Sequence, residues 1–186
     1  VLVLRMGKIM KEKLISKEKK LIDYAFLSDK SDLLDIWLFA NCTFCVSTGT
    51  GIDTASFVYN RPVLTINILP FCGAWFTSPV TIVPKKLYWK DTGKALTFME
   101  HLEQVFFRKN EYERAGIAIK DQSKVEILED LKDFFERKIE KSKRESENDS
   151  AIQKIAWEAI KVSSGYLSYH RWVHPECEMG PRWLER

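Results

Sequence analysis

Five small residues in a row, Ser47-Thr48-Gly49-Thr50-Gly51, carry the clearest chemical signal in the chain. Thr43-Phe44-Cys45-Val46 before them is a β-rich apolar run, and Ile52 to Tyr59 after them reads as a helix with Ala55, Phe57 and Val58 turned inward. A glycine turn between a buried strand and a helix converges backbone N–H groups and the positive helix end on one place, where phosphates bind. Glycines admit close backbone approach, and the hydroxyls of Ser47, Thr48 and Thr50 add donors. A purely structural tight turn is the competing reading.

Three familiar uses of such turns fail on sequence. A Walker A loop needs G-K-[ST], but Gly51 is followed by Ile52 and Asp53. The third glycine of a dinucleotide fingerprint is absent, and the next strand ends in Asn67 where a ribose-binding acid is expected. A nucleophile elbow requires a serine between glycines, whereas Ser47 precedes both.

Other candidates are weaker. Arg5 follows the apolar run Val1-Leu2-Val3-Leu4, read as a buried strand, and either forks onto a diphosphate or pairs with a local carboxylate. Lys8 lies nearby. Asp32 and Asp35, one turn apart, suit a ribose or a metal, while Asp32 also serves the first helical turn. His101, His170 and His174 are not joined to any nucleophile, and no catalytic residue is assigned. Cys42-Thr43-Phe44-Cys45 has C-x-x-C spacing without a second pair, so Cys42, Cys45, Cys72 and Cys177 read as buried thiols and no metal site is expected.

The elements that must position these residues follow from periodicity and caps. Leu21 to Tyr24 reads as a short strand. Ser31 caps a helix in which Leu33, Leu34, Trp37 and Leu38 recur at helical spacing, ending near Ala40-Asn41. Asn60-Arg61-Pro62 stops the helix after the turn, and Val63 to Asn67 is the next strand, giving a parallel β-α-β unit. Leu69 to Lys90 reads as a loop with one short strand at Val80 to Val83. Thr97 with Glu100 forms a capping box, Ser123 starts an amphipathic helix, and Asp149-Ser150 caps another through Val162 with Ile152, Ile155, Ala156 and Ile160 inward. The mixed-charge run from Glu136 to Glu145 is taken as a solvated helix face. His170-Arg171-Trp172-Val173-His174 belongs to an aromatic tail expected to dock on its own domain.

At 186 residues, with 45% apolar and 30% charged side chains, the chain suits one ordinary globular domain. A net charge of +3 gives no concentrated basic face for nucleic acid. The lysines at 8, 11, 13, 17, 19 and 20 read as a solvated loop or as a lure for an anionic ligand. No apolar stretch is long enough to span a bilayer and no signal peptide is evident, so a cytoplasmic location is expected. The start at Val1, already strand-like, suggests part of a longer protein.

Arg5-Met6-Gly7, Ser31-Asp32-Leu33-Leu34-Asp35-Ile36 and the 47–51 turn, continued through Arg61-Pro62-Val63 and Pro84-Lys85-Lys86, together resemble a family of uncharacterised bacterial glycosyltransferases. The likeness covers most of residues 2 to 105. It implies an α/β, Rossmann-like three-layer domain with a parallel sheet, the C-terminal half of a GT-B fold, over residues 1–116, with residues 117–186 as C-terminal helices and tail. The implied activity is transfer of a sugar from a nucleotide-diphosphate donor to a glycan or other acceptor, in surface-glycan or related glycoconjugate synthesis. Arg5, Gly7, Lys8, Asp32, Ser47, Thr48, Gly49, Thr50 and Gly51 would contact the donor. No cofactor beyond this co-substrate is implied. The N-terminal half of such an enzyme would be the partner domain, and this chain alone would be inactive. The alternative is a module that binds a nucleotide or phosphate without catalysis.

Overall fold

The computed structural model describes every residue except 75, 76, 143–146, 170–172 and 186. The first strand, β1 (Val3–Leu4), pairs in parallel with β2 (Leu21–Ile22), and among the described residues neither joins the main sheet. Val1, Leu2 and Val3 are more than half exposed, so the expected buried strand is corrected. Its neighbour in the sheet is the two-residue β2, and Leu4 alone of Val1 to Leu4 is half-buried.

Helix α1 (Asp32–Asn41) begins as expected, with the Ser31 hydroxyl accepting the Leu34 amide at 3.1 Å. Phe39 and Ala40 are its buried residues, whereas Leu33 and Trp37, expected inward, are exposed. Then come β3 (Cys45–Ser47), a single 3-10 turn at Gly51–Asp53, the short α2 (Thr54–Val58) and β4 (Val63–Ile68). Next is β5 (Val80–Pro84), expected to be a minor strand inside a loop but buried at every position. Its β-branched residues stand at the centre of the molecule. β6 (Lys86–Trp89) follows at once, then α3 (Phe98–Leu102), capped by Thr97 and Glu100 as read, and α4 (Lys109–Arg114). β7 (Ile117–Lys120) pairs antiparallel with β6, a pair that sequence did not foresee. α5 (Lys124–Phe134) carries the expected Ser123–Glu126 capping box and runs into a π-helical turn at Phe135–Ile139. α6 (Glu147–Val162), α7 (Ser164–Tyr169), β8 (Glu178–Met179) and α8 (Pro181–Leu184) complete the order.

The main sheet has the order β3-β4-β5-β8, all parallel, a mixed α/β layout compatible with a Rossmann-like arrangement. Alternation along β4 and β5 sends side chains to both faces. Val63, Val80, Ile82 and Met179 pack with Phe39 of α1, Phe57 of α2, Ile160 of α6 and Tyr166 of α7. Leu64, Ile66 and Val83 pack with Phe134 of α5, flanked by Ile127 and Leu131. Helices therefore cover both faces, which is why the two central strands read as continuous apolar runs. The sheet draws β8 from well beyond Gly116, where the first unit was expected to end.

The mixed-charge run is corrected at Arg137. Its side chain is only 4% exposed. Nε meets Asp133 and Nη1 meets Glu178, both at 2.7 Å. Glu178 also receives the Thr81 hydroxyl at 2.8 Å and pairs with Lys138 at 2.8 Å. An acid on a sheet strand is neutralised from a helix forty-one residues earlier. Residues 143–145 of the run lie outside the described residues. Helix α6 starts at Glu147 rather than at Asp149-Ser150, and Ile155 is exposed where an inward position was expected, while Ala156 and Ile160 are buried.

Candidate functional site

Ser47 is the last residue of β3, so the 47–51 segment leaves the sheet at its carboxyl end, the edge where open α/β sheets bind ligands. Gly49 has φ +79°, and a Cβ there would stand 2.6 Å from Ile68 Cδ1 at the end of β4. The turn is pressed onto the neighbouring strand in a conformation that favours glycine. Gly51 differs: a Cβ there meets nothing within 4 Å, and its φ is not in the left-handed region. Thr48, Gly49, Thr50 and Gly51 are all exposed.

The turn's interior is already engaged. The buried Ser47 hydroxyl donates to the Asp53 carboxylate and accepts the Gly49 amide at 3.0 Å. Asp53 is 2% exposed, and burial raises its pKa above the ordinary 3.8. The Ser47 hydroxyl and the backbone amides of Thr50, Asp53 and Thr54 work the other way, favouring its charged form. Asp53 therefore supplies from within the chain an acceptor for donors that sequence assigned to a ligand. Its adjacency to the turn was visible in the sequence, but its inward rotation was not.

The second group of candidates is organised differently. Arg5 meets Asp23 through two parallel hydrogen bonds, Nε to Oδ1 and Nη2 to Oδ2, each 2.7 Å. The same Nη2 donates to the Glu12 carbonyl at 2.9 Å, and the guanidinium lies 5.5 Å from the centre of the Phe26 ring. Those Arg5 bonds hold the Asp23 carboxyl below its usual value against the opposing effect of burial, helped by the Leu14 amide. Of the two roles open to Arg5 in the sequence, this is the local-carboxylate pairing. Met6 packs against the core, Gly7 is half-buried, and Lys8 and Asp32 form an exposed pair at 3.4 Å that adds little stability. Asp35 turns away from Asp32 toward Tyr24, whose phenol pKa is raised by burial and by that carboxylate. The two acids do not share a site.

None of the four cysteines is joined in a disulfide among the described residues. Cys45, Cys72 and Cys177 are buried and Cys42 is half-buried. Burial raises the pKa of all four, that of Cys45 to about 12. No group of three or more His, Cys, Asp or Glu side chains arranged to hold a metal occurs among the described residues. No helix among them is long and apolar enough to cross a membrane. In the tail, 170–172 lie outside the described residues, and His174 Nδ1 accepts the Glu176 amide at 3.1 Å.

His101 went unassigned in the sequence and is chemically distinctive in the fold. Its ring is 3% exposed, its Nε2 lies 3.0 Å from the Lys85 carbonyl oxygen, and its edge meets Trp183 at 5.3 Å between centroids. Burial pushes its pKa below 6.5. Comparison of the chain with protein-family models, with curated proteins and with solved structures found no match.

Proposed function

We propose that this chain is the donor-binding part of a nucleotide-sugar-dependent glycosyltransferase, with the outer face of the 47–51 turn receiving the donor's phosphates. The observation that carries the reading is the Gly49 turn itself. It is held against Ile68 at the carboxyl edge of a parallel sheet, with Thr48, Thr50 and Gly51 exposed around it. The likeness of Arg5-Met6-Gly7, the Ser31–Ile36 helix start and the turn to bacterial glycosyltransferases adds the reaction class. In this reading Ser47 and Asp53 fix the shape of the turn, and the exposed hydroxyls and amides meet the anion. The acceptor and the opposite wall of a GT-B cleft would come from an N-terminal half.

A second reading, a module that holds a nucleotide without turnover, is favoured by the pairing of Arg5. The Nε–Nη2 edge of its guanidinium, one of the two that could fork onto a leaving diphosphate, is spent on Asp23, and Nη2 also donates to the Glu12 carbonyl.

Calorimetric titration with UDP, GDP and ADP, and with the matching nucleosides, tests the shared premise. One diphosphate should bind at least tenfold more tightly than its nucleoside. Gly51→Val, placed in open space, should leave the fold intact and remove that preference. Equal binding of diphosphate and nucleoside, or no effect of Gly51→Val, refutes the assignment of the turn. Release of nucleoside diphosphate from a bound nucleotide sugar, in the presence of acceptor and any N-terminal half, separates transferase from module.

A further inference from the structure

The loop of residues 5–20 joins β1 to its parallel partner β2, and every residue from 8 to 20 is exposed. Within that stretch Lys8, Lys11, Lys13, Lys17, Lys19 and Lys20 stand against Glu12 and Glu18, six cations to two anions. The stretch is therefore net +4 in a chain of net +3, so everything outside it sums to −1 and the positive charge is gathered in one place. Lys8 has the exposed Asp32 at 3.4 Å. Among the described residues, no carboxylate stands within ion-pair distance of the other five lysines.

Apolar side chains are threaded through the same surface. Ile9 is 93% and Ile15 98% exposed, and Met10 and Leu14 are also exposed. Val3 donates its amide to the Lys20 carbonyl at 2.8 Å, which sets the exposed Val1, Leu2 and Val3 beside the end of the loop. One exposed isoleucine needs no explanation, but seven apolar residues interleaved with six ammonium groups form a patch. The fold holds that patch in place. Arg5 Nη2 donates to the Glu12 carbonyl at 2.9 Å and Asp23 accepts the Leu14 amide at 2.7 Å, so the loop is tied to the Arg5–Asp23 pair on both sides of Lys13.

The residue types select the partner. Nucleic-acid sites call on arginine forks and aromatic stacking, and residues 8–20 contain neither arginine nor an aromatic ring. Lysine is a point charge on a flexible apolar stem, suited to a layer of phosphates without fixed register. Aliphatic side chains suit the acyl boundary beneath such a layer. We propose that residues 8–20 seat this protein on the surface of an anionic phospholipid bilayer, with the lysines among the headgroup phosphates and Ile9 and Ile15 at the acyl boundary. This attachment is independent of the 47–51 turn and of any transferase activity.

Flotation of the whole chain with vesicles of phosphatidylcholine, and of equimolar phosphatidylcholine and phosphatidylglycerol, tests the attachment. The mixed vesicles should bind at least about tenfold more tightly, and added salt should weaken them. Lys11→Gln with Lys17→Gln should weaken that binding about 25-fold, a factor near five for each lysine. Ile9→Ser with Ile15→Ser, which leaves every charge in place, should weaken it at least about tenfold. All four positions are exposed, so the fold should survive, and circular dichroism checks that it does. Polyuridylate serves as a rival anion, and sedimentation velocity detects a second copy as a rival occupant. Equal binding to the two vesicle types, binding to neither, unaltered binding by the isoleucine pair, tighter binding to polyuridylate than to the mixed vesicles, or a dimer that the isoleucine pair dissolves overturns the proposal.

Discussion

Replacing Arg137 with methionine removes the cation that bridges Asp133 and Glu178. The three side chains are 4%, 9% and 7% exposed, so the charges sit almost wholly out of water. Burial opposes charge on Arg137, yet Glu178 and Asp133 outweigh it and raise its pKa. After Arg137→Met, Glu178 keeps Lys138 and the Thr81 hydroxyl, while Asp133 loses its bond to Nε. Breaking a buried ion pair by removing one partner costs about 3 to 5 kcal/mol. That is a large share of the roughly 5 to 15 kcal/mol by which domains are stable. At about 2 to 4 °C per kcal/mol for a chain of this size, Tm should fall by about 6 to 20 °C. Urea unfolding followed by circular dichroism measures the loss directly. The triple variant Arg137→Met, Asp133→Asn, Glu178→Gln removes both carboxylate charges that Arg137 balanced and should recover at least half of it. A single variant within about 1 kcal/mol of the parent, or a triple variant no better than the single, refutes the claim that a buried charge cluster fastens β8.

Two further outcomes concern the turn. Gly49→Ala should cost about 1 to 2 kcal/mol, because a Cβ is strained at φ +79° and meets Ile68; Gly51→Ala, without either constraint, should be neutral or stabilise by up to about 1 kcal/mol in the same unfolding assay. Because the folded-state pKa of Asp53 is raised, the native chain binds more protons than the unfolded one between the ordinary 3.8 and that raised value, so its stability declines as pH climbs through this window. Asp53→Asn should flatten that decline in stability–pH profiles, and an unchanged slope would show that Asp53 does not titrate as described.

Features decided within four residues were legible in the sequence. The caps at Ser31, Thr97 and Ser123 depend on a hydroxyl meeting an amide three residues on, so their sequence signature is their mechanism. β3 and β4 were legible because apolar runs flank a turn. Features decided by a distant partner were not. Glu178 on a strand and Arg137 in a charged run each look solvated until the fold brings them together, and nothing near either residue announces the other. Arg5 and Asp23 are both plain in the sequence, but the parallel pairing of β1 with β2 is what sets them side by side. The turn itself was readable, whereas the inward carboxylate of Asp53 depends on side-chain rotation that spacing does not encode.

Strand β8 also sets a schedule. Thr81 and Glu178 meet across a hydrogen bond that spans 97 residues of chain. At synthesis rates of about 5 to 20 residues per second, β5 waits roughly 5 to 20 seconds for its neighbour to be made. Through that interval the Thr81–Ile82 stretch has unpaired backbone along one side, on a strand whose every residue is destined for the interior. An apolar open edge of this kind recruits other strands. The nascent chain is therefore exposed to aggregation along β5 until β8 arrives, and a chaperone acting in that interval would be shielding β5.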